Sequence, residues 1–495
     1  MGNTNTRLPL VNCKGGSGRK AVGSVPPACL AALALFSLGA CAPNLGDKPQ
    51  IQPPGSYETA KSFAAPVAEW PQETWWKAYG DPQLDQLIDE ALAGSPDLKI
   101  AAARVRAAEA MADITGANLW PTVIGVASVQ ETEETLNNGF PPAFKPYLPR
   151  GWHHAAEIAA GLDYELDFFG KNRAALAAAT SDADAAKAEE AEARLQISTA
   201  VAGTYTVLVQ LFADQQAAKD AVRTRRESAA LVEKRWKSGL ENEGSLSLAR
   251  AQLQAAEVES DTVDRLTALT RDQLAALLGK GPDRGLAIVP SADQKIHSAG
   301  LPASLAADLI GRRPDVVAAR LSAEAAASRI DVANANFYPN VDLTGIYGLQ
   351  TLDAKFLIQG ASEMGAFGPA IHLPIFDYGR NTGIYRGARA GYDAAVAVYD
   401  KTLTNALQEV ADAYANRRGL AQELGHARGS LAEGENAYRI VRLRYDAGLS
   451  RYIDVLTAEN VLIMQRRAVA DLEAQSFAYD IALVRALGGG YGVKN

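Results

Sequence analysis

Apolar and polar residues alternate from position 157 to 168, and at a single glycine the alternation gives way to a long helical pattern. Ile158, Ala160, Leu162, Tyr164, Leu166 and Phe168 interleave with Glu157, Ala159, Gly161, Asp163, Glu165 and Asp167, the period of two of a strand with unlike faces. Gly170, Lys171 and Asn172 open the helical stretch. The chain makes the same switch again at residues 373–381, where Gly379, Arg380 and Asn381 stand in for that triplet. A strand-to-helix switch made twice predicts two copies of one unit.

The copies align at constant spacing. Pro96 and Pro314, Asp97 and Asp315, Asn118 and Asn336, and Pro121 and Pro339 are each 218 positions apart. Gly170 and Gly379, Tyr205 and Tyr414, Arg235 and Arg444, Gly239 and Gly448, and Gly279 and Gly488 are each 209 apart. The difference falls between Pro121 and Gly170, where Gly139, Pro141, Pro142, Pro146 and Gly151 mark a longer loop in the first copy. The predicted first copy spans 81–290, with a β-hairpin at about 120–169 and a long helical hairpin at about 171–280. The second spans 291–495, with its hairpins at about 339–377 and 380–488. In the second copy Val341, Leu343, Gly345, Tyr347 and Leu349 alternate with polar neighbours, and Phe367, Ile371, Leu373 and Ile375 continue on the returning strand.

The helical stretches hold no proline between Gly151 and Gly281 or after Pro374. A helix from Gly170 to Gly239, at 1.5 Å per residue, is roughly 100 Å long, more than a compact domain needs. Val201, Tyr205, Leu208 and Phe212 step by four, three and four, as do Leu403, Leu407, Val410 and Tyr414, the seam of a coiled coil. Gly419, Gly425, Gly429 and Gly434 interrupt the second long helix and require support there or a bend.

The N-terminus changes the compartment. Arg7, Lys14, Arg19 and Lys20 precede an apolar run at 28–38, too short to span a bilayer, so residues 1–40 read as a removable export signal. Residues 38–41, Leu-Gly-Ala-Cys, resemble the lipobox of bacterial lipoproteins. That resemblance implies that Cys41 is the lipid attachment site, and Ala42, in place of an aspartate, points to the outer membrane. Cys13 and Cys29 leave with the signal, so the mature chain has no partner for a disulfide. Residues 41–80 read as the acylated terminus and an extended linker rich in proline. The net charge of −8 argues against nucleic acid as a partner.

Four strands cannot close a barrel alone, and lipid tolerates no open sheet edge, so other subunits must complete it. In that setting the apolar face meets lipid, and Glu157, Asp163, Glu165 and Asp167 line a watery pore. Catalysis finds no support. His153, His154, His297, His372 and His426 show no metal-binding spacing, no cofactor motif is present, and Gly488, Gly489 and Gly490 read as a helix stop.

The repeated plan, with Trp75-Trp76, Asp81-Pro82-Gln83-Leu84, Asn118-Leu119-Trp120-Pro121, Asn336-Phe337-Tyr338-Pro339, Asp167-Phe168-Phe169-Gly170, Phe376-Asp377-Tyr378-Gly379 and Arg444-Tyr445-Asp446-Ala447-Gly448, resembles the TolC-type outer-membrane efflux proteins, most closely the lipoprotein branch serving tripartite pumps. The resemblance implies a mainly α fold with a small transmembrane β part. It implies a homotrimer in outer-membrane lipid whose twelve-stranded barrel continues into a tunnel of twelve helices. Such a protein is a passive exit duct fed by an inner-membrane RND-type transporter through a periplasmic adaptor. The turns after Gly239 and Gly448, with Leu240, Leu449 and Ser450, are then the adaptor-contact tips. Ile453, Thr457 and Asn460 fall where related members constrict the pore with a hydrophobic residue, an acid and a base. Thr457 departs from the acid; Asp454 either supplies acidity one step away or serves the start of its helix. Two other readings are the duct of a type I protein secretion system and a non-conducting periplasmic coiled-coil scaffold.

Overall fold

The computed structural model describes residues 43–492 other than 136, 138, 140, 290–300, 303 and 304. The export signal, Cys41 and His297 lie outside the described residues. Two short helices come first, α1 (Pro82–Gly94) and α2 (Pro96–Ala117), then strands β1 (Thr122–Glu133) and β2 (Trp152–Glu165). A long hairpin follows, α3 (Lys171–Lys237) and α4 (Glu243–Leu277), and the short α5 (Asp283–Leu286). The second half runs α6 (Leu305–Arg312), α7 (Pro314–Ala335), β3 (Asn340–Thr351), β4 (Glu363–His372), α8 (Arg380–Asp446) and α9 (Tyr452–Ala486). Elements of equal length recur: α2 and α7 have 22 residues each, α3 and α8 have 67, and α4 and α9 have 35.

Local chemistry sets the starts. The Asp81 carboxylate accepts the Gln83 and Leu84 N–H groups at 2.9 and 3.2 Å, with Pro82 in the first turn of α1. Packing supports the length. Val201, Tyr205 and Leu208 of α3 are fully buried with Trp75, Trp76, Tyr79, Leu87, Ile88, Leu274 and Ile481, so one core joins α1, α3, α4 and α9. Leu407 and Val410 of α8 meet Leu309 and Leu483 in a second. The predicted seam positions are therefore those that bury most, except Phe212 and Tyr414, which are half-buried at its edge. Of the seven glycines within α8, only Gly434 faces a close neighbour: an added Cβ would run into the Gln465 side chain. Gly419, Gly425 and Gly429 border open space.

The four strands form one antiparallel sheet in the order β1-β2-β3-β4. The register sorts its faces. Val123, Leu162, Gly345 and Phe367 are aligned across the strands, as are Gly125, Ala160, Tyr347 and Gly365, giving an apolar face that also holds Val129, Ile158 and Ile371. The opposite face carries Ser128, Glu157 and Gln350 in one row, Thr122, Asp163 and Thr344 in another, and Glu165 beside Asp342, with two rows of apolar residues, among them Ile124, Ile346 and Val126, between the first two. The sequence alternation ran past the strand ends. β2 stops at Glu165 and β4 at His372, so Leu166, Asp167, Phe168, Leu373 and Ile375 lie outside the strands. Pro374 cannot donate to a ladder, and Asp167 is drawn to the next helix.

The linker is extended but not free. Arg389 of α8 donates to the carbonyls of Gly46 and Asp47, and the Tyr392 hydroxyl donates to that of Pro49 at 3.1 Å. Ile51 and Tyr57 pack on Val316, Tyr399 and Leu403. Its polar and proline-rich composition hid these apolar anchors.

Candidate functional site

Three places carry the predicted residues: the joint between sheet and helices, the turns at the far ends of the long hairpins, and the start of α9. At the joint Gly170 and Gly379 take φ of 76° and 84°, a left-handed conformation that glycine adopts without the Cβ penalty. Asp167 accepts the Asn172 and Arg173 N–H groups at 3.3 and 2.9 Å, and Asp377 accepts those of Gly379 and Asn381 at 2.9 and 2.8 Å. The side-chain amides of Asn172 and Asn381 donate to the carbonyls of Asn118 and Asn336 at 3.4 and 2.9 Å, tying each long helix to the helix before its hairpin. Burial pushes the Asp167 carboxyl up, but the donated N–H groups and the Arg173 guanidinium outweigh it and hold the group below its ordinary range. Asp377 is likewise lowered by the Asn381 and Gly379 N–H groups. Of the four predicted pore acids, Glu157, Asp163 and Glu165 share the polar face, Glu165 paired with Lys171 at 2.7 Å. Asp167 stands off that face as a cap on α3.

The far turns are alike. Gly239 and Gly448 have φ of 72° and 76°. Leu240 N–H donates to the Arg235 carbonyl and Leu449 N–H to that of Arg444, both at 2.8 Å, with each glycine closing one turn inside, the Schellman pattern. Leu240 and Leu449 are 69% and 70% exposed. Ser450 donates its hydroxyl to the Val441 carbonyl at 3.4 Å. Behind the tips Val232, Leu246, Tyr445, Tyr452, Val455 and Leu456 join all four helices in one core.

At the start of α9 the Asp454 carboxylate accepts the Arg451 N–H at 2.9 Å, closing a capping box. Ile453 is 44% exposed, and Thr457 donates its hydroxyl to the Ile453 carbonyl at 2.8 Å. Asn460 accepts 2.7 Å from Arg225, whose other nitrogen lies 3.1 Å from Glu459. Arg225 and Glu459 are both 4% exposed, and this cross-link between α3 and α9 was missed from sequence. Its signal was there: Leu211, Ala218, Arg225 and Val232 are buried at heptad spacing, as are Tyr452 and Glu459, so a charge sits in each seam. Burial pushes the Glu459 carboxyl up against the opposing pull of Arg225 and Arg442. Higher on α9, Asp480 meets Arg417 of α8 at 2.6 Å and accepts the Tyr79 hydroxyl at 2.6 Å. Burial and that carboxylate push the Tyr79 phenol far up, so it remains a donor.

Among the described residues no three His, Cys, Asp or Glu side chains converge as a metal site. His153 and His154 point to opposite faces of β2, and His154 lies 3.4 Å from Glu131 across the strand pair.

Residues 87–280 and 305–489 match the family model of the outer membrane efflux protein. The chain belongs to the outer membrane efflux protein family. Over 440 residues it is 31% identical to the multidrug resistance outer membrane protein MdtP of Escherichia coli (strain K12), spanning 85% of this chain and 87% of MdtP. It is 36% identical over 333 residues to the fusaric acid resistance protein FusA of Burkholderia cepacia, or 65% of this chain and 62% of FusA, a little under two thirds of that relative. The crystal structure of the outer membrane protein VceC of Vibrio cholerae matches at 38% identity and a TM-score of 0.80, covering 85% of this chain and 100% of VceC. The chain is thus an outer-membrane efflux channel. Each matched stretch of this efflux protein holds two strands, a 67-residue helix and a 35-residue helix.

Proposed function

We propose that the protein is the exit duct of a tripartite efflux system, a homotrimer built from two copies of one unit per chain, at 81–290 and 291–495. The observation that carries this reading is the sheet. Its apolar face and two unpaired edges, β1 with 12 residues and β4 with 10, belong to an outer-membrane protein. Every backbone polar group in lipid needs a partner, so β1 of one copy pairs with β4 of the next, and three copies close twelve strands. The polar face with Glu157, Asp163 and Glu165 then lines the lumen. The long helices extend about 100 Å from the joint and form the periplasmic tunnel. The duct performs no reaction; an inner-membrane pump of the RND type supplies the energy.

Lipidation at Cys41 fits this placement. The linker lies against Arg389, about 14 Å down α8 from the joint, and the five residues from Gly46 to Cys41 reach up to about 17 Å when extended. An acyl chain there reaches the membrane beside its own sheet. The turns with Gly239, Leu240, Gly448, Leu449 and Ser450 dock the adaptor, since two apolar side chains displayed on tight glycine turns are rigid anchors. The entrance is constricted by Ile453, Thr457 and Asn460, with Thr457 where related members carry an acid and Asp454 one turn nearer the tip.

A cysteine pair at Val129 and Phe367, on the two edge strands, tests the assembly. Oxidation is expected to yield a covalent trimer that conducts ions in planar bilayers. Only intrachain products, or an oligomer that conducts nothing, would overturn the duct. Alanine at Cys41 is expected to abolish lipid labelling; persistence of label would refute the anchor.

A further inference from the structure

Between α3 and α9 lies a cavity of about 650 Å³. Two polar cross-links bracket it along α3, Gln210 to Asp471 at 2.6 Å and Arg225 to Glu459 at 3.1 Å. The stretch of α3 between Gln210 and Arg225 is about 22 Å long. The slot stays open because α3 presents Ala217, Ala218 and Ala221 to it, while Leu462 and Ile463 of α9 and Val263 of α4 supply an apolar wall. Its volume is in the range of drug-sized ligand pockets.

The charges within it do not balance. Arg466 is already paired with Glu435 at 2.9 Å and Arg467 with Glu259 at 2.6 Å, and the further acid of the lining, Asp220, is paired with Arg223 at 3.0 Å. Asp214, one turn from Gln210 on the same face of α3, makes no hydrogen bond or ion pair among the described residues and faces a second carboxylate, Asp471. Burial and Asp471 both push the Asp214 carboxyl up, against a weaker opposing pull from Arg467. An apolar slot with one uncompensated carboxylate complements a ligand with a hydrophobic body and a single positive charge.

We propose that this slot is a binding site for amphiphilic organic cations, with Asp214 facing the positive centre. The wall of the duct then holds cargo of that class instead of acting as an inert pipe. The binding site itself does not depend on the exit-duct reading; that its ligands are cargo rests on it.

Tetraphenylphosphonium and tetraphenylborate, alike in shape and opposite in charge, test it by equilibrium dialysis against the purified full-length protein in detergent. The wild type is expected to bind the phosphonium saturably, one per chain, and the borate not at all saturably. Asp214→Asn removes the charge and Ala217→Leu fills the slot from a solvent-exposed position; each is expected to weaken phosphonium binding at least tenfold with the thermal melt unchanged. If one variant fails to fold, the other carries the test. Unaltered binding in either folded variant, equal binding of the two ions, or no saturable binding to the wild type would overturn the proposal. Loss of conductance with phosphonium binding retained would count against the duct alone.

Discussion

Helices α4 and α9 have the same length and the same place in the two halves, yet they are fastened by different chemistry. The buried positions of α4 are Leu246, Ala249, Val263, Thr267, Leu274 and Ala275, with no charge among them. Helix α9 buries Glu459 and Asp480 and meets an arginine at each, Arg225 on α3 and Arg417 on α8. An apolar seam fixes how close two helices lie but tolerates small shifts along them. A buried ion pair fails if its partners separate, so it fixes register. Helix α9 is pinned at two points about 32 Å apart, and the constriction candidates Thr457 and Asn460 flank the lower one. The equal lengths of α4 and α9 set the same reach; their unlike fastening sets where α9 is held.

The largest effect expected from breaking this contrast is Arg225→Ala. Glu459 would stay buried without its partner, at a cost of about 3–5 kcal/mol in the unfolding free energy. A double change to methionine at Arg225 and Glu459 should recover most of that loss, because well-packed apolar residues replace buried pairs at little cost. Denaturant titration of the detergent-solubilised protein reads both. A single variant as stable as wild type would show that the pair does not pin α9. Next comes Leu274→Ala on the apolar side, expected to cost about 2–5 kcal/mol through lost burial and a cavity. No change at a single partner residue should rescue it as methionine at Glu459 rescues the loss of Arg225, and that distinction is the test of unlike fastening.

Most of the plan was open to reading because it rests on local rules. Proline-free stretches, left-handed glycines and four-three spacing each act within a few residues, so the boundaries at Gly170, Gly239, Gly379 and Gly448 came out in place. Strand ends were read too long at Asp167 and Ile375, since the competing pull of a helix start or a proline is not part of the alternation. The cross-links were the hardest to see. Arg225 and Glu459 are 234 residues apart. Nothing in either neighbourhood names the other, although each sits at a heptad position where an apolar residue is expected. The anchoring of the linker at Arg389 was hidden for the same reason, being a contact of backbone carbonyls with a distant side chain.

The two tips sharpen the comparison with a smaller effect. Gly239→Ala and Gly448→Ala should each cost about 1–2 kcal/mol, the penalty of a left-handed alanine, since an added Cβ at either meets nothing within 4 Å. Equal costs would mean that the tips are interchangeable as structure. Conductance should then part them, changing for Gly448→Ala, which leads into the pinned α9, and holding for Gly239→Ala. A shift of the same size in both would remove α9 from the constriction.

The smallest expected effect is in the response to acid, where the two kinds of carboxylate have opposite signs. Glu459 is raised above its ordinary value of 4.5, so protonation favours the folded chain; its stabilising effect is full below that value and lost as pH rises through the folded one. Asp167 and Asp377 are lowered below 3.8, so their contribution is present above that value and lost as pH falls through the folded one. The unfolding midpoint should therefore rise slightly from neutral pH toward about pH 5 and fall below about pH 4. Glu459→Gln should flatten the rise and leave the fall, while Asp377→Asn should reduce the fall and leave the rise. If Glu459→Gln kept the rise, the buried charge on α9 would not be its source, and the contrast with α4 would rest on packing alone.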